Sequence, residues 1–94
     1  MIEAILIERR NQHGPFDIHA HFSQALKAIA CSDSGNWPSL SVTQREAIEM
    51  IIHKIARILA GNPNHIDHWD DIAGYATLVA NILREASNGP SSPT

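Results

Sequence analysis

Two acidic pairs at helical spacing stand out in this 94-residue chain: Glu46-x-x-Glu49 and, after 17 intervening residues, Asp67-x-x-Asp70. Residues three apart lie on one face of a helix. Each pair therefore makes an acidic strip, the first shared with His53 and Arg57, the second with Gly74, with Asp71 at its edge. If two such strips faced each other, four carboxylates would converge on one point. Hard divalent cations want that donor set, and Mg²⁺ takes oxygen ligands at about 2.0 to 2.1 Å while leaving positions for waters and substrate phosphates. The pattern nominates Glu46, Glu49, Asp67 and Asp70 as Mg²⁺ ligands. A purely structural reading also accounts for them, because acids near a helix N-terminus and cations near its end complement the macrodipole and pair at i, i+4.

Cations suited to phosphate lie close by. Lys54 and Arg57 follow on the same stretch as Glu49, and Arg9, Arg10 and Lys27 precede it; Arg offers a bidentate fork and Lys a point charge. Trp37, Trp69 and Tyr75 are expected to anchor packing, or alternatively to stack on a base. His53 is expected to be a half-buried, hydrogen-bonded histidine, with a proton shuttle as the alternative. His19-x-His21 does not put two ligands on one helical face, so a zinc site is not expected. The single Cys31 has no visible base beside it, and no Gly-rich phosphate loop precedes a helix.

The elements that would carry these residues all read as helices. A first short helix with Ile2, Ile5 and Leu6 is expected to end at Asn11-Gln12-His13-Gly14-Pro15. A second starts near Phe16-Asp17 and repeats Ile18, Phe22, Ala25/Leu26 and Ile29 along one face. The segment from Cys31 to Ser39 collects loop formers around Trp37. Ser41 with Gln44 makes a capping box for the third helix, with Thr43/Glu46 as the competing frame; its stripe is Ile48, Ile51, Ile52, Ile55, Ile58 and Leu59, and Gly61-Asn62-Pro63 stops it. The fourth runs from His65 or Ile66 to Ala86, with Ile66, Trp69, Ile72, Ala73, Ala76, Val79, Ala80 and Leu83 expected inward. The expected fold is all-α, a small antiparallel bundle of three to four helices, with one domain over 1–87 and a flexible tail over 88–94.

Composition bounds the partners. Seven Lys+Arg against ten Asp+Glu give a net charge of −3, which argues against a sequence-independent nucleic-acid binder. No apolar run approaches the ~20 residues that span a bilayer, and Met1 to Arg10 does not read as a secretory signal. A soluble, cytoplasmic protein is expected. A chain this short buries only about 60 to 65% of its unfolded surface, so a homo-oligomer is expected as well.

Several stretches resemble known families. His13-Gly14-Pro15-Phe16, Asn36-Trp37, Gln44 to Met50, Lys54 to Leu59 and above all Asp67-His68-Trp69-Asp70-Asp71-Ile72-Ala73-Gly74-Tyr75 are similar to a family of small phage and prophage proteins that carry a domain of unknown function. That resemblance covers about residues 3 to 83 and implies no activity. A second resemblance is to the all-α nucleoside triphosphate pyrophosphatases, the MazG and dimeric dUTPase group, which hold Mg²⁺ with Glu-x-x-Glu on one helix and Glu-x-x-Asp on the next. It implies that Glu46, Glu49, Asp67 and Asp70 bind the metal, with Asp67 departing from the family's Glu by one methylene.

Three functions are compatible with these features. The first is an Mg²⁺-dependent, pyrophosphatase-like hydrolase of a nucleoside polyphosphate, in which Glu46 or Glu49 activates the attacking water. The second is a non-catalytic nucleotide binder that sequesters a host defence signal, with Arg9, Arg10, Lys27, Lys54 and Arg57 on phosphates and Trp37, Trp69 or Tyr75 on bases. The third is a structural or protein-interaction bundle.

Overall fold

The computed structural model describes residues 2–88. Among them the chain forms four α-helices and no strand: α1 (Ile2–His13), α2 (Phe16–Ala30), α3 (Val42–Ala60) and α4 (Ile66–Asn88), with a single 3₁₀ turn at Trp37–Ser39. The all-α expectation is met, and among the described residues no helix is long and apolar enough to cross a membrane. α1 continues through Asn11, Gln12 and His13, because those residues sustain a helix and the break waits for Gly14, whose φ is 84°. Of the tail expected over 88–94, Asn88 closes α4 and residues 89–94 lie outside the described residues.

The capping box forms in the Ser41 frame. The Gln44 N–H donates to Ser41 Oγ at 3.1 Å, and the Ser41 N–H donates to Gln44 Oε1 at 2.9 Å, which satisfies two of the donors that a helix start leaves open. One turn on, the Arg45 guanidinium reaches back to the carbonyls of Trp37 and Pro38, at 3.2 and 2.6 Å, and lies over the Trp37 ring. Trp37 is thus a packing anchor of the α2–α3 loop.

α3 is the middle of the molecule. It packs against α2 on one side and α4 on another, while α1 touches α2 and α3 only lightly and buries none of its own residues. What fills the seams differs from expectation. The buried apolar residues are Ala47, Ile52 and Ala56, whereas His19, Ser23, Lys54 and His68 are buried beside them. The stripe of α4 that was expected inward is largely open: Ile66, Trp69, Ala73, Ala76 and Leu83 are exposed, and Ile72, Val79 and Ala80 are half-buried. The cause is the rotation of α4 about its axis: it meets α3 through Asp71 on Lys54, roughly 150° round from the centre of that stripe. The radius of gyration, 16.5 Å, exceeds the roughly 12 Å of a compact chain of this length.

Candidate functional site

The corner between α1 and α2 is locked onto the end of α3. A Cβ on Gly14 would collide with the Ala60 carbonyl, and one on Gly61 with the backbone of Gln12, His13 and Gly14, so the two segments approach as closely as backbone allows. The Gln12 carbonyl then accepts twice, from the Asn62 N–H at 3.1 Å and from His68 Nε2 at 2.9 Å. Since a carbonyl only accepts, His68 carries its proton on Nε2. Its ring is 1% exposed and packs against His13 and His65, with centroids 5.1 and 4.7 Å away.

This corner forms one wall of a cleft of about 790 Å³, lined by Leu6, Arg9, Arg10, His13, Gly14, Pro15, Phe16, Asp17, His19 and Arg57. Three guanidinium-bearing residues from two helices share that lining. Two histidines lie among them whose Nδ1 atoms are buried and have no hydrogen-bond partner among the described residues: His13 and the nine-tenths buried His19. Burial first, and the Arg57 charge second, hold the His13 imidazole down to about 4 and lower His19 in the same way. Both are neutral near pH 7, so each ring can offer an N–H without adding charge. Phe16, 82% exposed, stands at the mouth, tilted 6.1 Å from His19.

A polar seam continues from the cleft between α2 and α3. His19 stacks on His53 at 5.7 Å. The Lys27 ammonium lies 3.1 Å from His53 Nε2; an ammonium only donates, so Nε2 accepts and Nδ1 donates to Ser23 Oγ at 3.4 Å. Burial, then Lys27 and Arg57, keep His53 below its ordinary range. The expected half-buried, hydrogen-bonded His53 is what the geometry gives.

The residues singled out from sequence fall into separate groups. Arg9 and Arg57 meet in the cleft, with Arg10 beside them. Lys27 sits between His53 and Glu49, 3.8 Å from the carboxylate. Lys54 is buried and bound to Asp71 at 2.9 Å, and that hydrogen bond holds the Asp71 carboxyl below the usual range. Trp69 is tied by its indole N–H to the Pro63 carbonyl at 2.8 Å. Tyr75 lines a shallow depression on α4 with Asp70, Asp71 and Gly74.

The four nominated metal ligands are not gathered within one chain. With Lys54 level with Asp71 in an antiparallel pair, Glu46 and Asp67 are separated by roughly 18 Å along the helix axes, and Glu49 and Asp70 by roughly 9 Å. Asp67 faces His65 at 3.5 Å. Among the described residues no group of three or more His, Cys, Asp or Glu is arranged to hold a metal ion. The donor set suits Mg²⁺, but its placement in the single chain does not fit one. Sequence reading missed the roles of His13 and His19, whose only signal was their position on either side of Gly14-Pro15.

A family model described as a domain of unknown function, DUF6378, matches residues 2–83. The chain belongs to this family. The DUF6378 match spans the cleft, the polar seam and most of α4, so all the residues described above fall within the family's domain. No curated protein and no solved structure matches the chain.

Proposed function

We propose that this protein binds a nucleoside polyphosphate in the cleft between α1 and α2 and holds it without hydrolysis. The observation that carries the reading is the convergence there of Arg9, Arg10 and Arg57 with two buried histidines that have an unpartnered ring nitrogen each. Guanidinium groups are the side chains best matched to phosphate oxygens. An unpaired buried polar atom costs free energy unless a ligand or water satisfies it. Phe16 at the mouth offers a π face to a base. This is the binding alternative among the functions read from sequence; in a phage or prophage setting it would sequester a nucleotide signal in the cytoplasm. The Mg²⁺-dependent hydrolase reading finds less support, because its carboxylates lie apart in the chain.

The test is a thermal-shift panel of nucleoside triphosphates, cyclic dinucleotides and adenine dinucleotides, with Mg²⁺ and with chelator, followed by product analysis. The expected result is stabilisation by several degrees that survives chelation, leaves the nucleotide intact and is lost in Arg9→Ala and Arg10→Ala, both exposed positions on α1. Stabilisation that requires Mg²⁺ and ends in monophosphate would sink the binding reading in favour of the hydrolase. A flat panel would sink both.

A further inference from the structure

The α3–α4 hairpin has an apolar face that nothing in the chain covers. Starting from Lys54 and Asp71, which meet between the helices, the residues roughly 80 to 140° round are Ile48, Ile55 and Leu59 on α3 and Ile72, Val79 and Leu83 on α4. Because the helices are antiparallel, the same sense of rotation brings both sets to one side of the hairpin. Both sets also share one spacing, seven residues then four, which is the period of a helix-bundle seam. Leu59 and Leu83 are 54% and 51% exposed, and the other four are half-buried.

The chain as a whole, α1 included, exposes more surface than a compact monomer of its mass, enough in total to supply an interface. The chain exposes 6766 Å² at a mass of 10.3 kDa. A compact monomer of that mass exposes roughly 5,400 Å². The surplus, roughly 1,400 Å², exceeds the ~800 Å² that each partner contributes to a standard interface. Its own core offers little in exchange, with Ala47, Ile52 and Ala56 as the buried apolar residues.

We infer that this face is closed by the same face of a second copy, related by a twofold axis, so that two α3–α4 hairpins form a four-helix bundle. The six side chains are uncharged and apolar, so the patch complements itself in an isologous contact. A chain with so small a core needs its cover as it folds, and the partner present in equal amount at every folding event is another copy. Arg9, Arg10 and Phe16 lie outside this face, so the inference stands independently of the ligand.

Sedimentation equilibrium of the full chain tests it. The native protein should have the mass of two copies, or a multiple of two, at micromolar concentration, and its melting temperature should rise with concentration. Leu59→Glu and Leu83→Glu, at positions already open in the single chain, should weaken association at least 100-fold. Val42→Glu, at a position 84% exposed but off this face, should leave it unchanged. A native chain that is monomeric at ~100 μM with a concentration-independent melting temperature would overturn the inference, whether or not the variants fold. So would a Leu83→Glu variant that stays dimeric, or dissociation by Val42→Glu instead.

Discussion

Two sides of α3 obey opposite rules. On the sides turned to the α1–α2 corner and to Asp71 of α4, the chain buries histidines, a serine, a lysine and backbone so close that neither Gly14 nor Gly61 has room for a Cβ. On the side shared with the outer face of α4, it leaves Ile48, Ile55 and Leu59 open or half-open. Hydrophobicity alone would have placed them the other way round. Burying a polar group is costly unless it is paired, and here the pairing is largely complete: Lys54 has Asp71, His68 has the Gln12 carbonyl, and His53 has Ser23 and Lys27. The exceptions, His13 and His19, sit in the cleft. Burial in the single chain thus follows hydrogen bonding, and the second copy inferred above is what would cover the apolar groups.

The strongest way to break the polar side is at its tightest point. Gly14→Ala would need a φ of 84° with a Cβ directed into the Ala60 carbonyl. The backbone conformation alone costs on the order of 1 to 3 kcal/mol, and the collision adds to it. Gly35→Ala has a similar φ, 66°, but open space around it, and should cost about 1 to 2 kcal/mol. Urea denaturation of both should give the larger loss at Gly14, and equal losses would show that the corner yields.

The Lys54–Asp71 pair should come next. Asp71→Asn leaves a buried ammonium without its counter-charge, whereas Lys54→Met removes the charge and keeps the volume. Asp71→Asn should therefore lower the melting temperature more than Lys54→Met. The reverse order would mean that Lys54 finds other solvation when its partner is lost.

Acid should act on the same side while sparing the apolar face. His13, His19 and His53 all have lowered folded-state values, His13 to about 4, against about 6.5 in an unfolded chain. The unfolded state then binds more protons between those values, so stability is complete above pH ~6.5 and falls as pH drops toward 4. Melting temperatures from pH 7.5 to 4.5 should decline by several degrees, with a shallower decline in His13→Gln. A flat profile would show that these rings are not held neutral.

How much of this was legible in the chain follows from the same contrast. Helix positions, the Ser41–Gln44 box and the stop at Gly61 are local, and local signals were enough to find them. His53 was expected half-buried and hydrogen-bonded as the ordinary state of such a histidine, whereas its place four residues after Glu49 pointed to the proton-shuttle alternative. The orientation of each helix was not legible, because a stripe of isoleucines says which side is apolar and is silent on whether the cover comes from the same chain. Ile66, Trp69 and Leu83 were expected inward and are exposed in the single chain. The two acidic strips likewise have the spacing of a metal site, but whether Glu46 lies level with Asp67 depends on hairpin register, which the Lys54–Asp71 contact sets and no single-helix pattern encodes. The cleft was half visible: its arginines were singled out, while His13 and His19 became meaningful only once Gly14 brought the corner onto α3.

Gly74 offers the smallest effect and a discriminating one. It lies in the middle of the 23-residue α4, exposed, and a Cβ there would meet nothing within 4 Å. Glycine in a helix interior costs roughly 0.5 to 1 kcal/mol relative to alanine, so Gly74→Ala should raise stability by about that amount if the chain itself is the whole environment. It sits on the side of α4 away from Ile72, Val79 and Leu83, so a twofold bundle built on those residues leaves Gly74 open too. Denaturation of the native chain and Gly74→Ala at matched concentration checks this. A gain keeps any interface off Gly74, as the Leu83-side face requires; a loss, with dissociation, would move the interface round to Gly74, where a partner's helix needs the missing Cβ for close approach.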